Sequence, residues 1–236
     1  KVYERWGVIE DGEFVHLPNE DLRPEKLASC EIGCGLFPTD DLLLEFAAFH
    51  INCEDQMRIA FKGPITIDGK DLLYQTNENV AESEIWGLHV VADHQVTSRF
   101  RLDGHYTFTT GKQDAADVDS TEVDLNHMPR HLLEANATIT HPWVELCLES
   151  NWFDGITTHE RNAKYAGSRI WGPWTFDLTL SKHINVGAAD MSLALTVNNL
   201  FDREYYKVPS SDEFFFSLPM VGQLRRTFLL TLTLGR

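Results

Sequence analysis

The chain has 236 residues, with 20 basic against 36 acidic side chains and a formal charge of −16. That balance argues against a surface that neutralises nucleic-acid phosphates, and the longest apolar runs fall far short of the roughly 18 residues a membrane helix needs. A mean hydropathy of −0.25 does not exclude the bilayer, because barrel strands alternate and hide their apolar character from window averages.

The length suits one large or two small soluble domains. No charged-then-apolar signal segment opens the chain, which starts at Lys1 without methionine, so a processed product or a piece of something longer is expected. The four cysteines, Cys30, Cys34, Cys53 and Cys147, contain no close CxxC pair, which disfavours a zinc ribbon or thioredoxin-type motif. Cys30 and Cys34 sit about 13 Å apart in an extended strand, too far to bridge each other. Their expected role is that of small apolar fillers.

In chain order, strands are expected from near Leu27 to Leu234, about nine of them, and long helical patterns are absent. Residues 42–61 and 73–93 read as strands long enough to project beyond a membrane. Within 42–51, Leu43, Ala47 and Phe49 fall on the nominally polar face, which a bulge would restore. From 99 to 109, Phe100, Leu102, Gly104, Tyr106 and Phe108 share one face, and Arg99, Arg101, Asp103, His105 and Thr107 the other. The same period-2 pattern recurs at Leu133–Ala135–Ala137–Ile139, Val144–Leu146–Leu148–Trp152, Trp174–Phe176–Leu178–Leu180, Leu193–Leu195–Val197 and Phe228–Leu230–Leu232–Leu234. It predicts an antiparallel sheet with one apolar face.

Short turns are expected at 37–41, 94–97, 141–143 and 185–190, and long polar loops at 62–72, 111–128, 153–168 and 202–222. This strict alternation is the pattern of outer-membrane barrels, with tight periplasmic turns and longer extracellular loops. Aromatic residues near strand ends, Tyr106, Phe108, Trp143, Trp152, Phe153, Trp171, Trp174, Phe201, Tyr205 and Tyr206, suit an interfacial girdle. Alternation alone is also met by a secreted soluble β-sandwich binding carbohydrate or protein, with the apolar faces turned inward.

Particular motifs separate these readings. Leu195-Thr196-Val197-Asn198-Asn199-Leu200-Phe201-Asp202-Arg203 resembles the C-terminal signature of TonB-dependent outer-membrane receptors. Pro18-Asn19-Glu20-Asp21-Leu22-Arg23-Pro24-Glu25 is similar to that family's Asn-x-x-Leu-Lys-Pro-Glu entry, followed by Glu31-Ile32-Gly33 at the head of a strand. Residues 79–88, centred on Trp86-Gly87-Leu88, resemble its Asn-x-small-x-small-x-x-Gly-x-Glu stretch, with His89 where an acidic residue is common. Tyr106-Thr107-Phe108-Thr109, Asn126-His127-Met128-Pro129-Arg130-His131 and Gly222-Gln223-Leu224-Arg225-Arg226-Thr227-Phe228 resemble three further family stretches, in the family's order.

The resemblance implies an all-β, antiparallel transmembrane β-barrel, of which residues 1–236 are the C-terminal part, the plug domain and earlier strands lying outside this chain. It implies a receptor in the outer membrane of a Gram-negative bacterium, not an enzyme. That receptor would take up a ferric siderophore or similar metal chelate, energised through the TonB complex. Partners would be the chelate, outer-membrane lipid and TonB, the last through an N-terminal region. The family usually ends on an aromatic residue, whereas Gly235-Arg236 stand here, so a truncation by one or a few residues is expected. The motifs are expected to mark architecture: Pro24 and Pro129 punctuate loop-to-strand transitions, and Asn198, Asn199 and Asp202 suit a tight reversal.

No hydrolase, phosphate-loop or nucleotide signature appears, and no resident cofactor is expected. His127 and His131 share an i, i+4 spacing, but Pro129 breaks any helix face between them, so structural or solvent-facing histidine is the reading. The carboxylates Asp114, Asp117, Asp119, Glu122 and Asp124 lack the glycine and terminal glutamate of a calcium loop and read as a solvated acidic loop. Phe214, Phe215 and Phe216, in the last long loop, are the ligand-contact candidates, because an aromatic cluster there is suited either to stack on a siderophore or corrin ligand or to pack the loop.

Overall fold

The computed structural model describes residues 9–11, 14–67, 69–114, 122–125, 128–157, 169–186, 189–207 and 221–235. Among them there is no helix. The strands are β1 (Ile9–Asp11), β2 (Phe14–His16), β3 (Lys26–Thr39), β4 (Leu42–Ile67), β5 (Lys70–Thr97), β6 (Phe100–Asp114), β7 (Glu122–Asp124), β8 (His131–His141), β9 (Val144–Phe153), β10 (Ile156–Thr157), β11 (Arg169–Ile170), β12 (Trp174–Val186), β13 (Ala189–Asn198), β14 (Tyr206–Lys207), β15 (Val221–Gly222) and β16 (Thr227–Gly235). Nine of these have nine residues or more, as the alternation predicts. They follow one another in the sheet as β3-β4-β5-β6-β8-β9-β12-β13-β16. Among the described residues β3 pairs only with β4 and β16 only with β13.

The chain divides into two compact units. The second is drawn from Glu31–Phe49, Gly87–Thr109 and Asn126–Arg236, and its strands from β6 onward pair antiparallel with apolar residues opposite apolar residues. One column runs Leu102–Ala137–Leu148–Leu178–Val197–Phe228. A parallel column runs Phe100–Ile139–Leu146–Leu180–Leu195–Leu230. This face is not covered by a second layer, since Leu102, Ile139, Trp174, Leu193 and Leu195 are exposed and Ile170 is this unit's one buried apolar residue among those described. A sandwich would bury this face between sheets. The structure does not support that alternative.

The first unit comprises Lys1–Cys30, His50–Trp86 and Thr110–Leu125. It holds the one parallel pairing among the described residues, β2 along β5 with Phe14 opposite Leu73 and His16 opposite Gln75. Val15, Leu22, Leu72 and Ala81 form its buried apolar contacts.

Two predicted connections are corrected. The expected loop at 62–72 is strand: β4 runs to Ile67 and β5 starts at Lys70. Gly63 and Gly69 take positive φ (98° and 79°), backbone shapes that glycine adopts without steric cost, Gly63 within β4 and Gly69 at the short turn before β5. The expected turn at 94–97 lies further on, at Ser98–Arg99. There the Arg99 N–H donates to Thr97 Oγ1 and the Gln95 side chain donates to the Thr97 carbonyl. The turns at Asp40–Asp41 and Pro142–Trp143 fall where expected. The four cysteines are unpaired, with Cys147 Sγ accepting from Thr138 Oγ1 at 3.6 Å.

The face conflict at Phe49 has a packing explanation, with no bulge required. Gly87 is buried, and a Cβ added there would collide with the Phe49 ring and lie 2.7 Å from the Phe108 carbonyl oxygen. The missing side chain thus makes room for an aromatic ring on the polar face. Gly87→Ala is expected to destabilise the full-length protein by about 1–3 kcal/mol through overpacking. Phe49→Ala should cost less in the Gly87→Ala background than in the wild type. Urea midpoints in detergent for the four-member cycle test this, and strict additivity would refute the contact.

Candidate functional site

The reversal after β13 is held by a single buried amide. Asn199 is 5 % exposed and takes a left-handed φ of 52°, a conformation asparagine tolerates well. Its N–H donates to Asp177 Oδ1 at 2.6 Å. Its side chain accepts from the Arg203 N–H at 2.8 Å and donates to the Arg203 carbonyl at 2.7 Å. Asp202, also at positive φ (55°), accepts from Arg225 Nη2 at 2.8 Å, Arg225 Nε at 3.1 Å and the Arg226 N–H at 2.9 Å. The Asn-Asn-Leu-Phe-Asp run therefore ties the end of β13 to β12 on one side and to the entry of β16 on the other. The Arg225 guanidinium, with the Arg226 N–H, holds the Asp202 carboxyl below the usual carboxylate range.

A second tie lies at the entry of β8. His131 Nδ1 bonds the Tyr106 hydroxyl at 2.6 Å, and its N–H donates to Asp154 Oδ1 at 3.1 Å. Arg169 Nη2 bonds Asp154 Oδ2 at 2.6 Å, and the guanidinium lies 4.8 Å from the Trp171 ring centre. His131 is thus structural, as expected.

In the first unit the Asn19–Glu25 segment is fastened the same way. Asn19 Nδ2 donates to the Asn77 carbonyl at 2.9 Å, and its Oδ1 accepts from the Asp21 N–H at 2.9 Å. Arg23 and Asn79 exchange two bonds, N–H to Oδ1 at 2.8 Å and Nδ2 to carbonyl at 2.9 Å. Asp55 receives Arg23 Nη2 at 2.7 Å and Lys26 Nζ at 2.9 Å, and Glu25 accepts from the Met57 N–H at 2.8 Å. Beside this crossing lies an open polar cavity of about 450 Å³, lined by Asn19, Asp21, Arg23, Tyr74, Thr76 and Glu78 among others.

No trio of metal-ligating side chains gathers among the described residues. Phe214, Phe215 and Phe216 lie outside the described residues, as do His127, Asp117 and Asp119. Asp114, Glu122 and Asp124 stand on the β6–β7 pairing, Asp114 opposite Glu122 and Lys112 opposite Asp124.

A family profile described as TonB dependent receptor-like, beta-barrel matches residues 9–200. The chain belongs to this family. No curated protein matches its sequence. Among solved structures it is similar to the ferric-catecholate import receptor Fiu from K12 E. coli, at 21 % identity and TM-score 0.63 over 90 % of this chain and 28 % of that one. It is similar to BauA, the ferric preacinetobactin receptor from Acinetobacter baumannii, at 16 % identity and TM-score 0.63 over 91 % and 30 %. The ferric citrate transporter FecA gives 17 % identity and TM-score 0.64 over 89 % and 31 %. At such identities the likeness shows the fold. The chain spans less than a third of each of these structures.

In a TonB-dependent receptor barrel the apolar face meets lipid and the polar face lines the lumen. On the polar face, Asp103 stands opposite Asn136, Asn136 opposite Glu149 and Glu149 opposite Asp177. The next column reads Arg101–Thr138–Cys147–Thr179–Thr196. Arg101 Nη2 pairs with Asp93 at 2.6 Å, and Asn136 Nδ2 donates to Asp103 Oδ2 at 2.9 Å. His89, which replaces the family's common acid, bonds Thr107 Oγ1 at 3.0 Å and lies 5.7 Å from the His105 ring. This wall is hydrophilic and internally bonded.

The aromatic expectation is met at both ends of the strands. Trp143 stands at the β8–β9 turn, and Trp152 opposes Trp174 nine residues along β9. That separation is about 30 Å along the strand and roughly 23 Å of height at a tilt near 40°, close to the apolar band of about 25 Å. Phe176 stacks on Trp174 at 5.9 Å and meets Phe201 edge-on at 5.3 Å. Asp177 and Asp154, the acceptors that hold these ties, lie in no recognised motif. Only their place near a strand end, where free N–H groups gather, could have pointed to them.

Asn199→Ala removes the side-chain partner of the exposed Arg203 N–H and carbonyl and is expected to cost about 0.5–1.5 kcal/mol. A urea midpoint equal to wild type in the full-length protein would refute this role. Asp202 carries the opposite signature. Because its folded carboxyl is held low, its contribution is full above about pH 4 and vanishes as pH falls through the folded value. The wild-type advantage over Asp202→Asn in thermal midpoint should therefore be present at pH 7 and shrink as pH falls below about 4. An advantage that grows in acid would contradict the assignment.

Proposed function

We propose that residues 1–236 are the C-terminal part of the barrel of an outer-membrane receptor that takes up a ferric siderophore or similar metal chelate, energised through TonB. The observation that carries this reading is the polar face of the β6–β13 register, set in a barrel family whose similar solved members include ferric-catecholate and ferric preacinetobactin receptors. The uncovered apolar face and the barrel family support a place in the outer membrane of a Gram-negative bacterium. The long-connection end captures the chelate, and the polar wall surrounds its path and the plug. TonB acts through the plug-bearing region outside this chain. Phe214, Phe215 and Phe216 supply stacking contacts at the mouth.

The test is uptake of radioactive iron by cells whose only receptor is the full-length protein, offered catecholate, hydroxamate and citrate chelates in turn. One chelate should be taken up, and deleting TonB should abolish the uptake. Uptake of none of them, or uptake unaffected by TonB loss, would overturn the reading. Replacing the three phenylalanines by serine should weaken binding of that chelate by about tenfold or more, the scale of lost aromatic anchors. Unchanged affinity would remove them from the site.

A further inference from the structure

The lipid-facing surface of the second unit carries one anomalous charge. From Phe100 to Phe108 in β6, and along β8, β9, β12, β13 and β16, the apolar face holds no Asp, Glu, Arg or Lys except Lys182. Lys182 is opposite Leu193 and is flanked on its own strand face by Leu180 and Ile184. An ammonium in that position is costly in hydrocarbon and settles only at a depth where it reaches a polar partner.

That depth is set by the register. Ser181 pairs with Glu145, which brings Lys182 level with the start of β9, beside the Pro142–Trp143 turn. Lys182 Nζ lies 5.4 Å from the ring centre of Trp143, whose side chain is exposed. Among the described residues no carboxylate lies within ion-pair distance of Lys182, in a chain of net charge −16. His141, on the same face of β8, accepts the Trp143 N–H on Nδ1 at 3.3 Å, which leaves Nε2 as the ring's donor. An ammonium without a protein anion, an indole beneath it and an imidazole N–H thus gather at one level of the surface. Their shared complement is a phosphate diester.

We propose that Lys182, with Trp143 and His141, seats the headgroup phosphate of an anionic phospholipid in the leaflet at the turn end of the barrel. Trp143 holds the amine by cation–π attraction and fixes its height, and the glycerol backbone lies along Val144 and Leu193. The inference rests on the membrane placement proposed above.

Native mass spectrometry of the full-length receptor in detergent, titrated with phosphatidylglycerol, tests it. Phosphatidylcholine serves as the zwitterionic comparison and inorganic phosphate as the competitor. The wild type should retain phosphatidylglycerol over phosphatidylcholine, Lys182→Gln should retain about fivefold less, and Lys182→Arg should keep most of it. Equal retention by Lys182→Gln, no preference between the lipids, or displacement by millimolar phosphate would overturn the seat. Should Lys182→Gln not fold, judged by its heat-shifted mobility in SDS, Trp143→Leu decides, and wild-type retention by that variant is equally fatal. A wild type that is detergent-dependent but shows no preference sinks the seat alone. A wild type soluble without detergent sinks the membrane placement itself.

Discussion

In hydrocarbon, backbone N–H and C=O groups find no water, and each unpaired one costs several kcal/mol. The ladder from β6 to β16 answers that constraint, and everything else in the second unit is arranged around it. Because side chains alternate with a period of two, a slip of one residue in any pairing would send an apolar set into the lumen and a polar set into lipid. The column from Leu102 to Phe228 crosses six strands without one polar interruption. Each strand from β6 to β13 is thus held in register by two neighbours and two solvents at once, and β16 by one neighbour.

Where the ladder ends, the backbone needs other partners, and the family motifs supply them. Asn199, Asp177 and Asp154 pair with main-chain N–H groups that the ladder leaves over. These ties differ in weight. Asn199 is buried, so its bonds are not exchanged cheaply for water, whereas the Asp202–Arg225 pair is exposed and contributes little. Such residues identify the receptor family because every barrel of the kind must finish its strands. For the same reason they carry no information about the chelate.

The strand faces, the strand number and the sense of each long hairpin were legible from alternation, because a sheet between lipid and water leaves a strict period-2 record. The length of the β4–β5 hairpin was not. Gly63, Pro64 and Asp68-Gly69 read as loop residues, yet the structure keeps Gly63 within β4 and uses Gly69 in the short turn of one continuous hairpin. The Asp-Gly pair is a hairpin signal in its own right, and weighing it over the neighbouring proline would have recovered the strand. Phe49 was unreadable for a different reason: its place depends on the absence of a side chain at Gly87, on another strand. The acceptors Asp177 and Asp154 were equally hidden, since a carboxylate on a polar strand face looks the same whether or not it holds a turn.

The crossing segment of the first unit is joined to β5 by contacts between residues far apart in the chain, Asn19 to Asn77 across 58 positions and Arg23 to Asn79 across 56. The second unit from β8 onward is built instead by successive neighbouring hairpins. Closing a loop of that length from the unfolded chain costs about 3–4 kcal/mol of entropy by the logarithmic law, more than one such hydrogen bond returns. Loop-closure entropy therefore favours docking of the segment after its partners on β5 are presented by the β4–β5 hairpin. The same entropy favours short-range hairpins first and the Asn19–Arg23 strap last, so a latched strap would report that the strands it joins are complete.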